Sequence, residues 1–114
     1  MRVLYTPEAK ADLKDIRRYI GELLQNPQAA KNVLATIKKS VAMLRESPFL
    51  GAPISSFLPS HINAEDLPVS LLDYRRLVCK RYSVFYRVGD DAVYVDRILH
   101  GSRDFINQLE YRLK

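Results

Sequence analysis

Cysteine is nearly absent from this chain of 114 residues: Cys79 stands alone. No internal disulfide can form, and a reducing cytoplasm is the simplest setting. Long apolar runs are missing too, none approaching the roughly 18 residues that a bilayer-spanning helix needs. The first residues, Met1 to Glu8, pass straight to charged side chains, so no signal peptide is expected. There is no glycine-rich phosphate loop, no cysteine pair at zinc-ligand spacing, and only two histidines, His61 and His100. The commonest nucleotide-binding and metal-dependent enzymes are thereby set aside, and neither a cofactor nor a metal is expected. No internal repeat or low-complexity stretch appears. What remains is ordinary globular usage, 47% hydrophobic and 27% charged, which excludes a disordered tail and suits one domain over residues 1–114. Lys and Arg total 18 against 13 Asp and Glu, and this excess of +5 favours anionic partners without choosing among them.

Local chemistry outlines the elements. Arg2 to Tyr5 is a short β-prone stretch ended by Thr6-Pro7-Glu8, a helix start in which Thr caps and Pro occupies the first helical position. Ala9, Leu13, Ile16, Ile20 and Leu23 then trace one helical face. Asn26-Pro27 repeats the start signal, and Ala30, Val33, Leu34, Ile37, Val41 and Leu44 form a second face that Ser47-Pro48 ends. Two amphipathic helices so closely linked predict an antiparallel hairpin with one shared apolar face. Residues 48 to 73 hold four of the six prolines and read as a long, mostly irregular crossing, anchored by Phe49, Leu50, Ile54, Phe57 and Leu58. Three β-prone runs follow, Tyr74 to Lys80, Tyr82 to Val88 and Val93 to Leu99, with a tight turn near Lys80-Arg81 and a hairpin turn at Gly89 to Ala92. Ser102 or Asp104 caps a terminal helix whose inner face is Phe105, Ile106, Leu109 and Leu113. The order predicts an α+β fold: an N-terminal strand and a helical hairpin on one face of a twisted antiparallel sheet of about four strands, with a short C-terminal helix.

Arginine on the sheet is the main chemical signal. From Tyr74 onward nine basic residues face five acidic ones. Alternation puts Arg76 with Val78 and Lys80, Arg87 with Phe85 and Ser83, and Arg97 with Val93 and Val95, where it either ends a core stripe or meets an acid. A basic sheet interleaved with Tyr74, Tyr82, Tyr86 and Tyr94 can hold RNA by phosphate contact and stacking. A solvated face with cross-strand charge pairs is the plainer reading. Cys79, inside an apolar strand, reads as packing. His100, at a strand end before Gly101-Ser102-Arg103-Asp104, is either an acid–base group beside a bound phosphate or a structural histidine.

The motifs together go further. Tyr74-Arg75-Arg76-Leu77, Tyr82-Ser83-Val84-Phe85-Tyr86-Arg87-Val88 and Val95-Asp96-Arg97-Ile98-Leu99-His100-Gly101-Ser102-Arg103-Asp104, in this order and spacing, resemble the RelE/ParE superfamily of type II toxins. Thr6 to Ile16 and Asn26 to Ala30 are similar to that superfamily's first and second helices; only the segment 51 to 72 is longer than the resemblance would lead one to expect. The resemblance implies a cytoplasmic toxin neutralised by a cognate antitoxin. RelE-like members cut messenger RNA on the ribosome, whereas ParE-like members poison DNA gyrase, and Val84 to Val88 with Ile98-Leu99-His100 looks more like the ParE side. The RelE-like pattern wants a basic residue where Ser83 stands and a tyrosine where Leu109 stands, with Tyr111 two places off. The leading expectation is therefore a gyrase-binding toxin, with Arg75, Arg76, Lys80, Arg87 and Arg103 meeting antitoxin or target. The alternative is a ribosome-dependent nuclease in which Arg75 and Arg103 stabilise charge and His100 moves a proton. A non-toxic antitoxin-binding module stands third.

Overall fold

The computed structural model describes residues 1–101 and 105–113, with side chains through Leu109. β1 (Arg2–Tyr5) leads into α1 (Pro7–Arg18), which runs on through a π-helical turn, Tyr19–Leu23, before α2 (Pro27–Ala42). Both start signals act as the sequence predicts. The Thr6 hydroxyl accepts from the Ala9 N–H at 3.2 Å and the Asn26 side chain accepts from the Ala29 N–H at 3.1 Å, each with proline next in line. A side-chain oxygen thus replaces a backbone acceptor that the first turn lacks. The wide π turn rotates the chain, so Leu23, expected on the inner face, is exposed. Gln25, at φ 53°, ends the turn.

The sheet has five strands in the order β1-β5-β4-β3-β2. Beyond β1, these are β2 (Ala52–Pro53), β3 (Arg75–Cys79), β4 (Tyr82–Val88) and β5 (Ala92–His100). Two features differ from the expected four antiparallel strands. β1 pairs in parallel with β5, from Arg2 with Ala92 to Tyr5 with Val95, because the intervening chain is long enough for a crossover. β2 lies within the proline-rich crossing and pairs with Arg76 and Arg75 at the sheet edge, where a proline without an N–H is tolerated. Two residues are too few to leave a period in the sequence.

Both faces of the sheet are covered, another departure from the expected single helical layer. α1, α2 and the 3-10 turn Met43–Arg45 that follows pack Ala9, Ile16, Ile37, Val41 and Leu44 on one side against Val84, Tyr86, Val93, Val95 and Ile98. On the other side the crossing supplies Ile54 and Leu71, and α4 (Phe105–Leu113) supplies Phe105 and Leu109, around Tyr74 and Phe85. The long segment, with its 3-10 turns and the short α3 (Val69–Leu72), therefore serves as the second layer. Of its expected anchors Ile54 is buried and Phe57 and Leu58 are half-buried, but Phe49 and Leu50 are exposed.

Gly51 fixes where this layer begins. Its N–H donates to the buried Tyr86 Oη at 2.8 Å, and a Cβ there would fall 2.7 Å from the Arg76 carbonyl oxygen. That contact is with backbone, which cannot swing away. Gly51→Ala should cost about 2–3 kcal/mol through overpacking and loss of the buried phenol's partner. A denaturant midpoint unchanged from wild type would refute this account of the edge.

Candidate functional site

A bulge decides where the sheet arginines go. Phe85 pairs with Arg97 but Tyr86 pairs with Val95, so Asp96 is an extra residue in β5. Val93 and Val95 face the helices before the bulge and Ile98 does so after it, which takes Arg97 out of their stripe and corrects the simple alternation. β1 ends at the Tyr5–Val95 pair. Just past it, Asp12 of α1 takes two Arg97 N–H groups at 2.8 and 3.1 Å and the Ile98 N–H at 2.8 Å. One carboxylate thus caps the open edge of β5 and neutralises the arginine, whose pKa is raised chiefly by its hydrogen bond to Asp12. Asp96, wholly buried, accepts Nε and Nη2 of Arg87, whose guanidinium also lies over the rings of Tyr94 and Tyr74 at 5.5 and 5.9 Å. That hydrogen bond raises the Arg87 pKa against the opposing effect of burial.

Arg76 goes inward. It is 9% exposed, and its Nε donates to Ser83 Oγ at 2.8 Å while that hydroxyl donates to the Gly101 carbonyl at 3.2 Å. Phe57, Phe105 and Phe85 surround the guanidinium at 4.5, 5.8 and 6.0 Å from their ring centres. Burial lowers its pKa, the expected sign for a cation taken out of water. Arg75 points the other way: Nη1 donates to the Gly51 and Phe49 carbonyls, and the group stacks on Phe49 at 4.8 Å.

Lys80 stands exposed in the tight turn, at φ 55°. His100 is exposed at the end of β5, edge-on to Tyr82 at 5.3 Å. Both line an open groove of about 890 Å³ between the hairpin and the β3–β4 turn, together with Tyr19, Leu24, Thr36 and Tyr82. Cys79 borders it, 6% exposed and 3.4 Å from Ser40 Oγ, in keeping with a packing role. Arg103, Ser102 and Asp104 lie outside the described residues.

Of the sequence-derived residues that the structure describes, the fold therefore brings Lys80 and His100 to one groove and places Arg75, Arg76 and Arg87 elsewhere. Arg75 pairs across to Tyr86, opposite Val95, while His100 pairs with Tyr82, opposite Cys79. Four register steps separate the two levels, about 13 Å along the strands. Asp12 and Asp96, which govern two of the arginines, carry no mark of site residues in the sequence. The former reads as one more solvated helix charge, and the latter is marked only by the bulge.

Comparison with known proteins agrees with this architecture. Among solved structures, a chain of the chromosomal ParDE toxin–antitoxin system from P. aeruginosa is 23% identical, over 90% of this chain and 97% of its own, with a TM-score of 0.67. A chain of the E. coli DinJ–YafQ complex is 17% identical over 88% of this chain and 93% of its own, with a TM-score of 0.48. No curated protein sequence matches. The profile of the ParE toxin of the type II toxin–antitoxin system parDE matches residues 3–105, nearly the whole chain, and the protein belongs to that family.

Proposed function

We propose that this ParE-family toxin inhibits growth by binding DNA gyrase in the cytoplasm, without cutting RNA, and that a cognate antitoxin neutralises it. The separation of the cationic groups carries the first half of this reading. Scission by 2′-hydroxyl attack needs a proton acceptor, a cation for the phosphorane and a proton donor within one site. Arg75 and His100 stand at opposite levels of the sheet. Arg76 is taken up by Ser83 and the rings of Phe57, Phe85 and Phe105, and Arg87 by Asp96. The layer formed by the crossing and α4 fills the face on which RNA would stack. The antitoxin half is supported by the family, described as the toxin of a type II toxin–antitoxin system, and by the similar chain of the P. aeruginosa ParDE system. β2 pairs only with Arg75 and Arg76, which leaves the β3 edge open from Leu77 to Cys79 for an added strand beside Lys80. Titration with the antitoxin should give sub-micromolar binding that weakens with salt.

Purified protein should inhibit supercoiling or trap gyrase's cleaved complex, and should leave messenger intact on programmed ribosomes. Codon-specific cleavage that disappears in Arg103→Ala would replace this reading with the nuclease one.

A further inference from the structure

With Arg87 and Arg97 matched by Asp96 and Asp12, the chain's positive charge shifts from the sheet to the helical hairpin. Residues 7–42 expose seven basic side chains against three acidic ones. The cations are ordered. Lys10, Lys14 and Arg17 follow one flank of α1 at i, i+4 and i+7, and Lys31 and Lys38 follow one flank of α2 at i and i+7. Lys14, Arg17, Arg18 and Lys31 meet at one open cleft of about 500 Å³ between the helices, with Gly21, Pro27 and Ala30 between them. Asp15 and Glu22 stand at its border, the latter 3.7 Å from Arg18, so cations outnumber carboxylates there by two to one.

The hairpin's exposed Tyr19 and Leu24 line the other groove, and neither they nor the exposed Leu23 borders this cationic cleft, which points to its partner. Protein interfaces are centred on buried aromatic or long aliphatic anchors. Single-stranded nucleic acid adds rings for stacking. Among the described residues, the cleft is lined, besides its charged side chains, only by Gly21, Pro27 and Ala30. Cations without an apolar anchor suit a ligand that presents closely spaced charge alone, as the phosphate backbone of a duplex does.

We infer that the outer face of the α1–α2 hairpin docks on the backbone of duplex DNA, without reading sequence, through Lys10, Lys14, Arg17, Arg18, Lys31 and Lys38. Helix α1 with its π turn covers Pro7–Leu23, which is about 25 Å of helix and hence roughly seven phosphate spacings. The inference goes beyond the gyrase reading and does not need it, because duplex binding belongs to the chain alone. If gyrase is the target, the same face would hold the toxin at that enzyme's substrate.

The test is fluorescence anisotropy of a labelled 30-base-pair duplex of arbitrary sequence, titrated with the full chain at 50 and 200 mM salt. About four phosphate contacts predict roughly 10²-fold weaker binding at the higher salt. A triple variant, Lys14→Gln with Arg17→Gln and Lys31→Gln, should reduce the log–log salt slope by about three. A control triple removes the same charge elsewhere, at the exposed Arg2, Arg45 and Arg81, each changed to Gln, and should leave the slope near that of wild type. Circular dichroism of both triples confirms folding. Equal losses in the two triples would reduce the effect to net charge and overturn the inference. So would the absence of duplex binding at 50 mM salt, or equally tight binding of a poly-glutamate peptide of matched charge, which would assign the face to an acidic protein.

Discussion

Asp12→Ala should lower stability by about 3 kcal/mol, among the largest effects of any charged-residue substitution on the helices of this protein. A helix carboxylate usually contributes only a few tenths of a kcal/mol. Here its two oxygens hold both the Arg97 fork and the Ile98 N–H, and the paired side chains are only 11% and 18% exposed. Truncation leaves a largely desolvated guanidinium without its counter-charge and orphans an edge amide that β1 is too short to reach. The thermal midpoint should fall by roughly 10–20 °C. Asp12→Asn keeps an acceptor for Ile98 and should recover part of the loss. In a double-mutant cycle with Arg97→Ala, the coupling should exceed about 1 kcal/mol. Additive effects would mean that the contact is a surface pair of little consequence.

This contact also marks the limit of what the sequence discloses. Thr6-Pro7 and Asn26-Pro27 are legible because capping is local: donor, acceptor and proline lie within a few residues. The β4–β5 hairpin around Gly89 to Ala92 is legible for the same reason, and the Gly89 N–H does bond the Ala92 carbonyl at 2.8 Å. The inward stripe of α1 is legible as far as Ile20, until the π turn shifts Leu23 away. Asp96 is different. One inserted residue leaves the composition of β5 unchanged yet takes Arg97 out of the helix-facing stripe, and nothing local announces it. Likewise the sequence shows arginines at 75 and 76 side by side, but which one enters the core depends on which face the crossing covers. That layer is assembled from Ile54, Phe57, Leu71 and α4, far apart in the chain, so the basic face looked open when in fact it is filled.

Arg76 gives the sharpest test of that filled face. Truncation in Arg76→Ala should cost about 3 kcal/mol, since it empties a site walled by Phe57, Phe85 and Phe105 and leaves Ser83 without its donor. Arg76→Met should behave otherwise. Methionine keeps most of the stem's volume and removes the desolvation that already lowers the guanidinium's pKa. Among the described residues, moreover, no carboxylate is paired with Arg76. Replacing a buried charge by an apolar side chain of similar size is often neutral or stabilising, so the methionine variant should unfold within about 1 kcal/mol of wild type. The functional outcome follows from the same geometry. A guanidinium enclosed by three rings and a serine hydroxyl is poorly placed to meet a partner's carboxylate or phosphate, so Arg76→Met should inhibit growth and bind antitoxin as the wild type does. A methionine variant that is stable but has lost toxicity or antitoxin binding would show that the charge itself reaches a partner, and Arg76 would return to the binding surface.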